Sequence, residues 1–307
     1  MSLDPSYLDY PRRGRGMDHD FYRYSNLFER APIHWLGDAK VAIAIVVNLE
    51  WFSIVPNDAP FRAPGHMATP YPDYRHYTSR EYGTRVGFYR LLDAFARVGA
   101  NVSVATNAAI AERYPQIIAD IVAGGHEIVA HSTDMNGTIA TGLPEDAERA
   151  LIAQSLDTIA AVAGTRPTGW MSIARSQSFN TPRLLAEAGL GYMCDWVNDE
   201  LPYRFHTAGG DLVNVPINHE LSDRQIITVQ QNSADSYVEQ IQDAYRLLAH
   251  EAKRFGGRML PLNVTPYVVG LPYRIGAFER LLAWLADQPG AAFLTTGAIA
   301  HAFRDSA

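Results

Sequence analysis

The chain has 307 residues, of which 47% are hydrophobic, and its 26 basic and 33 acidic residues give a formal net charge of −7. This composition is typical of a globular protein with a full core, and the acidic balance argues against nucleic acid or an anionic membrane as a partner, since both require clustered Lys and Arg. A lone cysteine, Cys194, excludes an intrachain disulfide and a thiolate metal cluster.

The N-terminal residues 1–20 form a polar, aromatic-rich arm without the apolar segment of a signal peptide. The longest apolar run, Val41 to Val47, is too short to span a bilayer. We therefore expect a cytoplasmic protein with residues 21–307 as its single domain. Its expected partner is a small-molecule substrate, with no role for nucleic acid or membrane.

Short apolar segments alternate with longer amphipathic ones along this domain. The first, Lys40–Asn48, is a continuous β-branched run typical of a strand buried on both faces. The next, Arg85–Val98, repeats apolar residues at helical spacing and stops at Gly99, a common C-cap. Further strands are predicted at Asn101–Thr106, His126–Ser132, Thr168–Ile173, Gly191–Trp196, Leu212–Asn218, Met259–Thr265 and Ala291–Thr296. Further helices are predicted at Pro115–Ala123, Pro144–Ala163, Pro182–Ala188, Ser233–Phe255 and Arg274–Asp287.

This alternation predicts an α/β fold with a parallel sheet, and about seven or eight strand–helix units predict a closed or nearly closed barrel. A doubly wound open sheet is the alternative. Against it, no Gly-x-Gly-x-x-Gly follows the first strand to form a nucleotide site.

One segment, residues 51–82, shows neither helical nor strand periodicity and contains several prolines. Structureless segments of this length are usually lids, binding loops or contact arms. We expect this one to cover the mouth of the barrel or to pack on a second copy of the chain. The second alternative predicts a homo-oligomer.

Barrel enzymes carry their chemistry at the C-terminal ends of the strands. Glu50 follows the first predicted strand, and His131 lies at the end of the third. A carboxylate and an imidazole at neighbouring strand ends favour a catalytic site, with Glu50 as general base and His131 as proton shuttle or substrate ligand. The competing interpretation is structural: an ion pair for Glu50 and a hydrogen bond to a carbonyl for His131.

Several motifs together resemble those of the polysaccharide deacetylase superfamily, the nodulation-type deacetylase domain. Gly125-His126-Glu127-Ile128-Val129-Ala130-His131 resembles its GHEI-x-x-H strand, and Arg166-Pro167-Thr168-Gly169-Trp170 its Arg-x-Pro-x-Gly strand. The metal-independent allantoinase and cyclic-imidase branch is the most similar, through Tyr82-Gly83-x-Arg85-Val86-Gly87, Cys194-Asp195-Trp196-Val197-Asn198-Asp199 and Glu220-Leu221-x-Asp223. The resemblance covers about residues 20 to 303.

This resemblance implies a distorted (β/α)7–8 barrel and hydrolysis of carbon–nitrogen bonds other than peptide bonds, in a cyclic ureide or imide. Asp195 is expected to orient Arg166 or a substrate amide, as a third catalytic residue. Tyr82 and Arg85 are expected to supply a phenol donor and positive charge. The other expected substrate-binding residues are Asn48, Trp51, Asn136, Arg166, Trp170, His219, Glu220 and Thr265.

The departures from the superfamily concern its metal. Metal-dependent members hold the ion with a carboxylate and two histidines four residues apart. Here the position four residues after His131 is Met135, and the usual late histidine is replaced by Thr265. A catalytic zinc needs about three protein ligands, and only Glu50 and His131 qualify. We therefore expect no metal and no other cofactor.

A site without metal must activate water through a general base and must stabilise the oxyanion with positioned donors. A strained or activated carbon–nitrogen bond makes smaller demands on such a site than the N-acetyl amide of a sugar. Two alternatives stay open at this point. They are a non-catalytic relative that binds a small metabolite, and a metal-dependent carbohydrate N-deacetylase.

Overall fold

The computed structural model describes residues 19–66, 70 and 72–306, and these residues form nine strands in one sheet, with helices around it. The strands are β1 Val41–Leu49, β2 Ser103–Thr106, β3 Glu127–Ala130, β4 Gly169–Trp170, β5 Tyr192–Met193, β6 Tyr203–Phe205, β7 Leu212–Asn214, β8 Arg258–Val264 and β9 Ala291–Phe293. The helices are α1 Tyr74–Tyr82, α2 Phe88–Val98, α3 Ala108–Arg113, α4 Pro115–Ala123, α5 Glu145–Ala163, α6 Thr181–Glu187, α7 Ala234–Phe255, α8 Pro266–Val269, α9 Ile275–Ala286 and α10 Thr296–Ser306. Short π-helical turns occupy Gly83–Gly87 and Arg224–Val229, and 3-10 turns occupy Leu36–Asp38 and Ile173–Arg175.

The sheet runs in the order β6-β7-β5-β4-β3-β2-β1-β8, and its pairs are parallel except for β6 with β7. One edge of β1 is shared: β9 pairs with its first residues and β2 with its last, while β8 takes the other edge. Within the described residues, β6 and β8 do not pair with each other. The sheet is therefore a curled, incomplete barrel, which confirms the prediction of a distorted α/β barrel.

Strand β1 lies at the centre of the molecule, and all nine of its residues are buried. Its odd-numbered side chains pack in the larger core, together with residues of α2 and α9. Its even-numbered side chains Ala42, Ala44 and Val46 belong to a second core, with Val129 of β3 and Met259 of β8, inside the curl of the sheet. Burial on both sides explains why this strand reads as an uninterrupted apolar run.

The prediction that residues 51–82 lack regular structure is wrong for their last part, which forms α1. Asp73 caps this helix, because its carboxylate accepts hydrogen bonds from the backbone N–H groups of Arg75 at 2.9 Å and His76 at 3.1 Å. His76 is the buried residue of α1. A helix that buries an imidazole in place of apolar side chains has no hydrophobic periodicity to detect.

Residues 51–66 of this segment lie over the C-terminal ends of the strands, where Pro64 forms part of a cavity wall, in agreement with the first of the two predicted alternatives. Phe52 is buried, and its ring lies 4.9 Å from that of His66, 5.5 Å from that of His76 and 6.1 Å from that of Tyr267, between centroids.

Other differences concern short or terminal elements. The strand predicted to continue to Thr296 ends at Phe293, and α10 begins at Thr296. Helices α3 and α8 and the antiparallel strand β6 were not predicted, because each is too short for a periodic pattern to emerge. Among the described residues, no helix combines the length and the apolar character needed to cross a bilayer.

Candidate active site

Strand geometry brings four polar side chains to one end of the barrel interior. Asn48 and Glu50 continue the inward-facing positions of β1, Asn263 those of β8, and His131 those of β3. Because side chains two residues apart along a strand point to the same face, all four face inward. This end is formed by the carboxyl ends of the parallel strands, where the sequence predicts the site.

These four residues line a cavity of about 290 Å³. His219 also lines it, so four of the predicted site residues meet there: Asn48, Glu50, His131 and His219. The covering segment contributes Pro64 to the wall. Two arginines that the sequence analysis did not single out, Arg175 and Arg224, complete the charged part of the lining.

Glu50 lies in a buried ion pair. Its Oε2 atom is 2.6 Å from Nη2 of Arg224 and accepts a hydrogen bond from the Tyr267 hydroxyl at 3.0 Å. The same Arg224 nitrogen donates to the Tyr267 hydroxyl oxygen at 2.7 Å. Burial is the largest single effect on the Arg224 guanidinium and disfavours its charge, but Glu50, Tyr267 and Asp223 together outweigh it and raise the pKa of Arg224. Only 3% of the Glu50 side chain is exposed, so water screens the pair little.

His131 is held in one tautomer. Its Nδ1 atom lies 2.6 Å from the carbonyl oxygen of Met171, an atom that only accepts, so Nδ1 carries the proton and Nε2 keeps a lone pair. Burial lowers the pKa of His131, although the negative charge of Glu50 acts in the opposite direction. The imidazole is therefore neutral near pH 7 and able to accept a proton at Nε2.

A hydrogen-bonded group of polar residues forms the base of the cavity. The Asn48 amide donates to Asn263 Oδ1 and, at 3.5 Å, to the hydroxyl of Thr265. The backbone N–H of Thr265 in turn donates to Asp223 Oδ2 at 2.7 Å. Burial raises the pKa of Asp223 to about 7. Asp223 thus joins the end of β8 to the turn that carries Arg224.

Asp195 supports the wall without lining the cavity. It accepts hydrogen bonds from the backbone N–H of Ser172 at 2.6 Å, the hydroxyl of Ser172 at 2.8 Å and the amide of Gln177 at 2.6 Å. Burial raises the pKa of Asp195 to about 6. The predicted contact between Asp195 and Arg166 does not form, because Arg166 is at the surface and pairs with Asp157.

Several predicted substrate-binding residues do not line the cavity, namely Trp51, Tyr82, Arg85, Asn136, Arg166, Trp170, Glu220 and Thr265. The Tyr82 hydroxyl accepts a hydrogen bond from Arg90 at 2.6 Å. The Arg85 side chain is 73% exposed and lies 3.8 Å from Glu81, so its charge points to solvent. Glu220 is also exposed.

The remaining three have structural contacts. The Trp51 ring lies beneath the guanidinium of Arg113, 4.2 Å from centroid to Cζ. Trp170 is fully buried in the larger core, on the other face of the sheet from Val129. The Asn136 amide donates to the Ser53 hydroxyl at 2.9 Å and so holds the covering segment in place.

Sequence reasoning missed Arg175, Arg224 and Tyr267. The last two lie close to residues that the sequence analysis named: Arg224 directly follows Asp223, and Tyr267 lies two residues after Thr265. A buried carboxylate is usually paired with a cation, so a buried Glu50 predicts a basic partner. The partner of Glu50 is 174 residues away along the chain, however, and nothing local indicates which arginine it is.

The polysaccharide deacetylase superfamily, which the sequence motifs resemble, implies a divalent metal, and the donor set in the described residues does not fit one. Within residues 19–66, 70 and 72–306, no three His, Cys, Asp or Glu side chains converge as a metal site. Around Glu50 and His131 the neighbouring positions are amides, a hydroxyl and a thioether, and Met135 packs in an apolar cluster. His219 also lines the cavity, but it is exposed and does not form a ligand group with Glu50 and His131 in the described residues. A catalytic zinc takes about three nitrogen, oxygen or sulfur ligands from charged or imidazole side chains.

The chain is similar to known proteins over most of its length. Residues 77–193 match the family model described as "Polysaccharide deacetylase". A Schizosaccharomyces pombe protein described as "Putative polysaccharide deacetylase" is 24% identical over 298 residues, with 88% of this chain and 92% of that protein covered. Among solved structures, PuuE allantoinase superposes with a TM-score of 0.81 at 26% identity, over 91% of this chain and 95% of that chain. A "probable Polysaccharide deacetylase" from Pseudomonas aeruginosa PAO1 gives 0.80 at 26% identity, over 90% and 95%.

Proposed function

We propose that this chain is a hydrolase that opens the carbon–nitrogen bond of a cyclic ureide or imide without a metal ion. The match of residues 77–193 to the polysaccharide deacetylase family model supports the hydrolase class. One observation carries the proposal: the positive charge beside Glu50 comes from the side chain of Arg224, in the place where a metal-dependent enzyme would use a metal ion. The similarity to PuuE allantoinase supports the class of substrate.

In this proposal His131 is the general base. Its Nε2 atom accepts a proton from a water molecule, and the water oxygen attacks the carbonyl carbon of the ring. The bond from that carbon to the ring nitrogen then breaks, and His131 returns the proton to the leaving nitrogen. The products are a carboxylate and a new N–H group, with one proton released when the acid ionises.

Glu50 supports this chemistry by its charge. Its Oε2 atom is occupied by Arg224 and Tyr267, so the sequence-based assignment of Glu50 as the base is the less favoured of the two. The Glu50 charge acts on His131 in the direction that stabilises the imidazolium formed during proton transfer. Glu50 and Arg224 together place two opposite charges in the cavity wall, and each charge balances the other.

The test is an assay of the full chain with allantoin, dihydrouracil, succinimide and an N-acetylated sugar, each with and without a chelator. We expect ring opening of a cyclic substrate at a rate that the chelator leaves unchanged. His131→Asn keeps a donor for Met171 but removes Nε2, so it should lower kcat by about 10²–10⁴-fold. Arg280→Gln is the control, because Arg280 lies in an exposed ion pair.

Two outcomes would overturn the proposal. Sugar deacetylation that depends on an added divalent metal would assign the chain to the metal-dependent members. Saturable binding of a cyclic compound without any turnover would assign it to the non-catalytic relatives.

A further inference from the structure

We infer that Arg175 is the anion-binding residue of the cavity and that it holds the carboxylate formed when the ring opens. This inference rests on the proposed hydrolase function and deepens it by naming the group that is recognised. Arg175 ends the 3-10 turn Ile173–Arg175 and lines the cavity beside Ser172.

The guanidinium of Arg175 has a buried N–H donor without a hydrogen-bond acceptor among the described residues. Its Nε atom donates to the carbonyl oxygen of Ile217 at 2.8 Å, but its Nη2 atom is buried and has no hydrogen-bond partner among the described residues. Within the residues that the structure describes, no carboxylate forms a salt bridge with Arg175 either. Buried N–H groups are nearly always bonded in folded proteins, so the unbonded Nη2 shows that the described residues leave the hydrogen-bonding capacity of Arg175 incompletely used.

The two arginines of the cavity differ in how their charge is balanced. The charge of Arg224 is paired with that of Glu50. Arg175 is influenced by Asp195, but both oxygens of Asp195 are bonded to Ser172 and Gln177. His131 adds no positive charge while it is neutral. Arg175 is therefore the cavity cation that lacks a directly bonded carboxylate.

The backbone of this turn is unusual. Ala174 and Arg175 both adopt left-handed conformations, with φ of 56° and 57°. Residues other than glycine seldom adopt this conformation, and it persists only where the surrounding structure enforces it, often at functional sites. The turn places the side chain of Arg175 in the cavity wall between β4 and the segment that contains Ile217.

The chemistry of the reaction indicates what this cation binds. A cyclic imide or ureide enters uncharged, water adds to the ring carbonyl carbon, and the carbon–nitrogen bond breaks. The nitrogen takes one proton, and the carboxylic acid loses another to become a carboxylate. The planar guanidinium matches the two oxygens of that carboxylate with two parallel N–H groups. The ligand class is thus an open-chain N-carbamoyl or amido carboxylate.

A pair of small ligands tests the inference independently of turnover. N-carbamoylglycine carries the carboxylate, and N-carbamoylglycinamide replaces it with an uncharged amide. Calorimetric titration of the full chain should show that the carboxylate binds about 10- to 100-fold more tightly than the amide. Arg175→Gln should abolish this preference, Arg175→Lys should keep part of it, and Arg280→Gln should leave it intact.

The possible results separate the two hypotheses. A wild-type protein that hydrolyses a cyclic substrate but binds both ligands equally would overturn the role of Arg175 and leave the proposed function standing. A protein without turnover whose carboxylate preference is lost in Arg175→Gln would support the anion site and refute the hydrolase. If Arg175→Gln does not fold, Arg175→Lys decides. A preference for the carboxylate in that folded variant as large as in the wild type counts against recognition by the guanidinium.

Discussion

His131 shows how two neighbours of a single side chain determine its chemistry. The carbonyl of Met171 takes the proton at Nδ1, and burial opposes a second proton. The catalytic form of the proposed base is therefore the form that the native structure favours. A histidine in water would be partly protonated just below neutral pH, because its ordinary pKa is about 6.5.

This environment predicts the pH dependence of the reaction. Because the base must be unprotonated and the pKa of His131 is lowered, kcat/KM should stay constant as the pH falls through about 6.5 and should decline only below it. A pH–rate profile of the wild-type protein measures this. An acid limb centred above the ordinary histidine pKa would contradict the assignment of His131 as base.

The ion pair of Glu50 predicts a loss of stability when its carboxylate is removed. Glu50→Gln leaves the half-buried Arg224 without its counter-charge, so the free energy of unfolding should fall by about 3 kcal/mol, as measured with urea. Asp235→Asn is the control: its pair with Arg280 is exposed, and the expected loss is below about 1 kcal/mol.

A double variant separates this structural effect from catalysis. Adding Arg224→Met to Glu50→Gln removes the unpaired charge and should recover part of the stability. If Glu50→Gln instead melts like the wild type while kcat falls by about 10²–10⁴-fold, Glu50 acts in catalysis and the predicted structural role of its ion pair is wrong.

For single residues of the site, the sequence predicts the location of those whose position depends on strand geometry alone. Glu50 and His131 lie just past buried strands, so the alternation of side chains places them in the interior. Arg175 and Arg224 lie in irregular turns, where no periodicity specifies direction. Their roles depend on partners distant in the chain, and single-sequence patterns carry no such information.

Among the elements, the contact between the π-helical turn Gly83–Gly87 and α8 positions Tyr267. A side chain added at Gly87 would place its Cβ 2.1 Å from the carbonyl oxygen of Pro266, which is backbone and cannot rotate away. The close approach of the two elements thus requires glycine at this position. Since Tyr267 directly follows Pro266, the same contact orients the hydroxyl that binds Glu50.

Gly87→Ala should therefore destabilise the protein by about 1–3 kcal/mol or more and reduce turnover as Tyr267 shifts. Gly276→Ala is a matched control in α9, where the nearest atom to an added Cβ is the end of the Arg280 side chain at 3.8 Å. That change should alter stability by no more than about 1 kcal/mol. Thermal melts of both variants provide the comparison, and equal melting temperatures would refute the packing argument.

The elements that the sequence predicts well are those with strong periodic patterns. Strand β1 is apolar on both faces, and α7 repeats apolar residues over many turns, so each is evident without tertiary information. Helix α1 buries a histidine, and α10 begins where a strand was expected to continue. In both cases packing against the rest of the chain, and not local preference, determines the structure.

For the whole molecule, the donor set predicts that stability does not depend on a bound metal. A ligand that binds only the native state stabilises it by RT ln(1 + [L]/Kd), so removing a tightly bound metal lowers the melting temperature. We expect a chelator to leave the melting temperature of the purified protein unchanged. Elemental analysis that finds one zinc per chain, together with a chelator-sensitive melt, would contradict this prediction.

The pairing of Glu50 with Arg224 also bears on how such a protein depends on its surroundings. A dissociable ion must be acquired after synthesis, competes with other ions and is lost when its free concentration falls. A guanidinium in the same chain is present in one copy from translation onward, and neither dilution nor competition removes it. It cannot, however, open a coordination position for a substrate oxygen. Under the proposed function, the protein would gain permanence at the expense of Lewis acidity, and its substrates would have to be compounds that are already reactive.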